Sequence, residues 1–222
     1  MNRLAPRHTV VVRITHWINA VSFLALAVSG IAILLAYPRF HWGDSGSLGV
    51  PALFDLPLPF VLELGIRGPG RSLHFLAGWV CLVNGLLYVI SGFYMKHFSN
   101  NLLPKRSDFA FRSVLSRRSA DQGLQTYNAL QRTSYLAVVF GLFPVMFVTG
   151  LAMSPALTSA FPVLVNVFGG HQSARTLHFF AANLLVLFLV VHIAMLIAGG
   201  FVKRCRAMIT GYHTSRRTSH DH

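Results

Sequence analysis

The feature that most constrains this chain is a set of four long runs nearly free of charge, at about 14–36, 73–95, 132–153 and 176–200. After its first residue or two, none of them contains Asp, Glu, Lys or Arg. A helix crosses the hydrocarbon core of a bilayer with about 20 apolar residues, roughly 30 Å at about 1.5 Å per residue. Backbone polar groups in lipid must be satisfied within the segment, so such runs are helices. The whole chain agrees: 54% of its residues are hydrophobic, only 11% are charged, and the mean hydropathy is +0.55. A soluble domain carries about 25% charge. The expected fold class is therefore all-α: an integral membrane four-helix bundle over residues 1–213, followed by a flexible charged tail at 214–222. Connections of about 20 to 36 residues keep the four spans in one bundle.

The formal net charge of +13 invites a nucleic-acid reading, but the charges are sorted by side. The N-terminus, the 96–132 connection and the C-terminus hold all of the 19 Lys and Arg except Arg39, Arg67, Arg71 and Arg175. This is the positive-inside pattern, which puts both termini in the cytoplasm and gives a basic rim facing anionic lipid rather than nucleic acid. Arg3, Arg7 and Arg13 ahead of an apolar run resemble a signal peptide, but the run is long and lacks a small-residue cleavage site, so it is read as a retained first helix. Cys81 lies mid-span and Cys205 in the tail, at depths that do not suit a disulfide. Neither forms a CxxCH, so neither is a site for thioether attachment of a cofactor.

Within the spans stand four histidines. A histidine in a membrane span is costly and marks function by default. His178 and His192 are 14 residues apart, which is about 21 Å along a helix and within about 40° of one face. His178 and His74 lie near the outer ends of their helices, and His16 and His192 near the inner ends. Depth alone therefore pairs His74 with His178 and His16 with His192. Two imidazoles on opposite faces of a haem iron leave no open position for oxygen and suit electron transfer. Two haems b are expected, one near each leaflet, with these four residues as axial ligands.

Two further patterns attend the histidines. Gly78, Gly85 and Gly92 recur every seven residues, within about 40° of the face bearing His74. That stripe suits close helix packing and equally the edge of a haem. Arg13, Arg71 and Arg175 each precede a histidine by three residues, on the same side of the helix. Each is a candidate partner for a haem propionate through a charge-assisted bond, although arginines also snorkel at helix ends. His41, His97, His171 and His213 are assigned solvated or partner-facing roles, and no tight ligand spacing suggests zinc.

The connections carry expectations of their own. Residues 37–71, with Tyr37, Pro38, Phe40 and Trp42, form a loop too long to be a mere link and are a candidate docking surface. Phe60 to Leu64 form a candidate interfacial turn, and a short helix near Tyr127 leads into the third span. Pro144 predicts a kink there.

The segments RITHWINA, YPRFHWG, NLLPKR, YNALQR, TGLAMSP, GGHQSARTLHF and MITGY, together with the His178/His192 spacing, resemble the prokaryotic dihaem b-type cytochromes that anchor periplasmic oxidoreductases. These include the formate dehydrogenase gamma subunit and hydrogenase cytochrome b; the likeness is greatest to the thiosulfate reductase cytochrome b subunit. The resemblance implies a bacterial inner-membrane protein that exchanges electrons between membrane quinone and a periplasmic partner, often a molybdopterin enzyme. It also implies that Asn128, in Tyr127-Asn128-Ala129-Leu130-Gln131-Arg132, borders the quinone together with His192. Leu130 stands where the family motif has glycine, which puts the shape of that pocket in question. An amide can hydrogen-bond a quinone carbonyl; it can equally cap the third helix.

The expected role is an electron-transfer subunit whose far-end chemistry belongs to another chain. One alternative is a stand-alone superoxide:quinone oxidoreductase, with Arg39, Arg67, Arg71 and Arg175 steering a small anion. A second is a non-redox transporter whose histidines bind metal or relay protons.

Overall fold

The computed structural model describes residues 9–46, 50–56, 67–94 and 134–211. Four helices are long and apolar enough to cross a membrane: α1 (Val10–Ala36), α2 (Arg67–Tyr94, with its apolar span from Gly70), α3 (Ser134–Ala152) and, after two short helices, α6 (His171–Ala198). The short helices are α4 (Pro155–Ala160) and α5 (Val163–Asn166), and α7 (Phe201–Thr210) follows α6. The Tyr127 helix, the Phe60–Leu64 turn, Asn128, His97 and His213 lie outside the described residues.

The helices begin earlier than charge alone suggests. α1 starts four residues before position 14, and its Thr9 cap accepts from the Val12 amide at 3.4 Å. α2 starts at Arg67 and α6 at His171. Counting a span from its last charged residue misplaces its start, because an arginine near a helix end can turn its head to solvent or to carbonyls beyond the helix while its backbone stays helical. Pro38 keeps α1 from running past Ala36, and the amide of the capping Tyr37 closes on the Ile33 and Leu34 carbonyls.

The disturbance expected at Pro144 lies one turn earlier. Val138–Leu142 widen into a π turn, and the Phe143 amide bonds to the Val138 carbonyl. Proline has no N–H to give to the carbonyl four residues back, and the wide turn absorbs that mismatch.

The bundle is built from two helix pairs, α1 against α2 and α3 against α6. Its interior is small and polar. Thr15, Ser22 and Ser29, seven residues apart on α1, are buried, as are Ala77, Cys81 and Asn84 on α2. Asn84 donates to the Thr15 carbonyl at 2.8 Å and to Asn19 Oδ1 at 2.7 Å. Larger side chains such as Val21, Leu24, Leu76 and Val83 point outward. Lipid is as apolar as leucine, so the helices gain more from close backbone approach and shared hydrogen bonds than from burying large side chains.

A strap closes the end of the bundle that carries His74 and His178, called outer here after the charge pattern of the sequence. β1 (Arg39–Phe40) pairs antiparallel with β2 (Phe54–Asp55), Arg39 opposite Asp55 and Phe40 opposite Phe54. Phe40, 2% exposed, stacks on Phe54 at 4.7 Å and packs on Phe179 at 4.5 Å. The Gly43 carbonyl accepts from the Gln172 and Ser173 amides, and the Gly43 amide donates to Ser173 Oγ. The open N-terminus of α6 is thereby satisfied. Gly43 and Gly170 have φ of 98° and 119°, and the Gly43 backbone runs so close to Gly170 that a side chain at Gly170 would collide with it.

The charged segment from Lys203 is helical as far as Thr210, and the tail expected at 214–222 lies outside the described residues. Gly200, with φ 89°, breaks α6, and α7 follows with Lys203, Arg204 and Arg206.

Candidate functional site

The four span histidines meet as two pairs between the helix pairs. His74 of α2 faces His178 of α6 with ring centroids 6.3 Å apart and planes at 64°. His16 of α1 faces His192 of α6 at 6.5 Å and 54°. A metal–imidazole bond of about 2 Å, with about 1 Å from nitrogen to ring centre, puts the centroids of two opposed ligands about 6 Å apart. Both pairs therefore have the separation of imidazoles on either side of one metal. Among the described residues, no group of three or more His, Cys, Asp or Glu gathers around a common point. A donor set of two opposed neutral imidazoles, with no carboxylate or thiolate, fits a macrocycle-held iron.

The two pairs differ in what surrounds them. At the outer pair, Ser29 Oγ lies 3.0 Å from His74 Nδ1, and Thr149 Oγ1 lies 2.9 Å from His178 Nδ1. The inner pair sits among aromatic rings: Trp17 beside His16, and Tyr135 and Phe188 beside His192, the last nearly parallel at 6.0 Å. The buried Nδ1 of His192 has no hydrogen-bond partner among the described residues.

The glycine stripe of α2 divides. Gly78 faces Leu26 of α1, so it serves helix packing. A Cβ on Gly85 would meet no atom within 4 Å, which leaves its face clear for the edge of a flat cofactor, and Gly92 is buried.

Two of the three arginines that precede histidines by three residues, Arg13 and Arg175, bond to backbone carbonyls. Arg13 donates through Nε to the Met208 carbonyl at 3.2 Å and through Nη2 to the Ile209 carbonyl, capping the last turn of α7. Arg175 donates to the carbonyls of Arg39, at 2.8 Å, and Tyr37, and its guanidinium lies 4.8 Å above the Phe40 ring. It ties the strap to α6. Arg71 is exposed at the outer end of α2.

Of the two roles expected of His41, solvated or partner-facing, its burial excludes the first. His41 is 7% exposed, its carbonyl accepts from Thr176 Oγ1 at 2.9 Å, and its Nδ1 is buried without a hydrogen-bond partner among the described residues. The strap carries it inward, which no local pattern around Phe40-His41-Trp42 announces. His171 is exposed, at the first turn of α6. Near it an open cleft of about 430 Å³ runs between Asp44, His171, Thr158 and Asn166. That cleft belongs to the outer rim, away from the histidine pairs.

Sequence reasoning passed over Ser29, Thr149 and Asn84. A signal for the first two is present: Val28-Ser29-Gly30-Ile31-Ala32 in α1 is nearly repeated as Val148-Thr149-Gly150-Leu151-Ala152 in α3. Asn84 is an amide inside a span, a placement that itself marks an interhelical bond.

The family model for prokaryotic cytochrome b561 matches residues 7–211. A protein of Azospira oryzae named "Putative protein-methionine-sulfoxide reductase subunit YedZ1" is 31% identical over 195 residues, covering 85% of this chain and 88% of that one. The formate dehydrogenase cytochrome b556(fdo) subunit of Escherichia coli is 28% identical over 214 residues, covering 94% of this chain and 85% of that one. No solved structure matches the chain.

Proposed function

The chain belongs to the prokaryotic cytochrome b561 family, a multi-pass electron-transfer protein of the bacterial inner membrane, and on that premise we propose that it carries two haems b and passes electrons between membrane quinone and a periplasmic oxidoreductase. Family membership brings haem b and leaves no place for the non-redox transporter alternative. Haem, when bound, supplies a one-electron couple. In this reading His74 and His178 would hold the iron of the outer haem as its axial ligands, and His16 and His192 would hold that of the inner. The observation that carries it is the pair of cross-bundle histidine separations, 6.3 and 6.5 Å.

The remaining residues are given supporting roles. Gly85 and Gly92, with Gly78 alongside, admit the haem edges. Arg71, Arg13 and Arg175 are assigned to propionates; a guanidinium has five N–H donors, so the carbonyl bonds of Arg13 and Arg175 leave donors for a carboxylate. Asn128 is proposed at the quinone, near His192, on the strength of its motif alone. The four spans and the basic N-terminus and 96–132 connection support cytoplasmic termini.

Both relatives are named as subunits of oxidoreductases, which supports a catalytic partner, in our proposal a molybdopterin enzyme, docked on the strap and the α4–α5 rim. Exposed Tyr37, Trp42, Leu53 and Phe161 give that face the aromatic character of an interface. The stand-alone superoxide reaction has less in its favour: of the outer arginines, Arg175 is tied to carbonyls and Arg39 lies 3.5 Å from Asp55. A reduced-minus-oxidised spectrum of the purified chain, with haem quantitation, tests the reading. Two haems b per chain are expected, and fewer would sink it.

A further inference from the structure

The outer histidines are held by the same small device twice. On α1, Ser29 Oγ lies 2.6 Å from the Ala25 carbonyl, 3.2 Å from the Leu26 carbonyl and 3.0 Å from His74 Nδ1. On α3, Thr149 Oγ1 lies 2.6 Å from the Val145 carbonyl, 3.1 Å from the Met146 carbonyl and 2.9 Å from His178 Nδ1. Thr149 is fully buried and Ser29 is 2% exposed.

A hydroxyl has one proton to donate. In each case the closest acceptor is the carbonyl four residues back, so that carbonyl takes the proton. The hydroxyl oxygen is then an acceptor toward the ring, and Nδ1 must be the protonated nitrogen that donates to it. Nε2 is left with its lone pair. The next residue completes the device. A Cβ at Gly30 would stand 3.6 Å from His74 Cε1, and one at Gly150 would stand 3.5 Å from His178 Cε1. Each imidazole thus lies along a bare stretch of backbone, held at Nδ1 by the hydroxyl and flanked at Cε1 by the glycine. Each helix pair contributes one such clamp, α1 to α2 and α3 to α6.

We propose that Ser29 and Thr149 are positioning residues of the outer haem, fixing the Nδ1–H tautomer of His74 and His178 and strengthening Nε2 of each as an iron ligand. The proposal rests on the reading that these two histidines ligate that haem. A hydrogen bond donated from Nδ1 raises the basicity of the ligating nitrogen and fixes the ring. A more basic ligand favours the ferric state, so removing the acceptor moves the potential of the outer haem in the positive direction. The inner pair has no counterpart among the described residues, since His192 Nδ1 is unpartnered there.

The test uses the full haem-loaded chain in detergent, with Thr149→Val, which keeps the shape and removes the hydroxyl, and Ser29→Ala. Redox titration followed by optical and EPR spectra reads each haem separately. Both haems are expected to remain at purification. The outer potential shifts positive and its low-spin EPR signal changes, with the inner haem unmoved, and the outer haem dissociates about tenfold faster. Thr149→Ser and Ser29→Thr, which retain the hydroxyl, should behave as the parent. Unchanged outer potential and EPR signal in Thr149→Val would overturn the proposal, as would equal shifts of both haems or a Thr149→Ser chain that behaves like Thr149→Val. Should one variant fail to accumulate, the other reads the same haem from its opposite face. Failure of the ligand reading is distinct: His74→Ala or His178→Ala would then keep both haems.

Discussion

The two ends of the bundle hold their histidine pairs in different ways. At the outer end each ring is bonded at Nδ1 to a buried hydroxyl, and a strap anchored by Phe40, Gly43 and Arg175 covers the start of α6. At the inner end the rings stand among Trp17, Tyr135 and Phe188, and His192 keeps an unbonded Nδ1 among the described residues. An end that exchanges electrons with a docked protein gains from rigidity, because the partner finds the same surface each time. An end that admits a small diffusing substrate gains from surroundings that are apolar and less fully bonded. The contrast supports assigning the partner to the outer end and quinone to the inner.

The comparison breaks most visibly at the ligands. His178→Ala or His74→Ala should halve the haem content and leave the inner haem, and His192→Ala or His16→Ala should do the converse, as read by spectra and haem quantitation. Loss of both haems from every variant would mean that the ends are not separate sites.

Next comes the strap. Phe40→Ala removes a buried ring from the Phe54, Phe179 and Arg175 cluster and should cost about 3 kcal/mol in denaturant unfolding. Gly170→Ala asks a side chain to adopt φ 119° against the Gly43 backbone; about 1–3 kcal/mol is expected, with the outer haem spectrum changed and the inner one not. Asn84→Ala loses the bonds to Thr15 and Asn19 and should cost about 1 kcal/mol, since interhelical hydrogen bonds in membranes are worth about 0.6 kcal/mol each. Arg39→Ala breaks a 3.5 Å pair whose side chains are 68% and 54% exposed. Its effect on stability should stay under about 0.5 kcal/mol, because water screens such pairs.

The spans and the histidine pairing were legible because lipid makes polar residues rare, so that His16, His74, His178 and His192 stand out and their depths can be counted. The helix starts were less so, because an arginine can reach solvent or carbonyls beyond the helix, as Arg13 and Arg175 do, while its backbone is inside the helix. The strap was not legible: it depends on positive φ at Gly43 and Gly170 and on contacts across more than 120 residues, neither of which leaves a local pattern. The burial of His41 stayed hidden for that reason. Ser29 and Thr149 were hidden in another way. A hydroxyl in a span ordinarily bonds to its own helix, and only the fold reveals that these two also meet an imidazole.

The most direct measurement is the haem stoichiometry of the purified chain by reduced-minus-oxidised spectroscopy and haem extraction, repeated on His178→Ala and His192→Ala. Two haems b in the parent, and one in each variant with the complementary spectrum retained, are the predicted result. One haem or none in the parent, or the same surviving haem in both variants, would contradict the account.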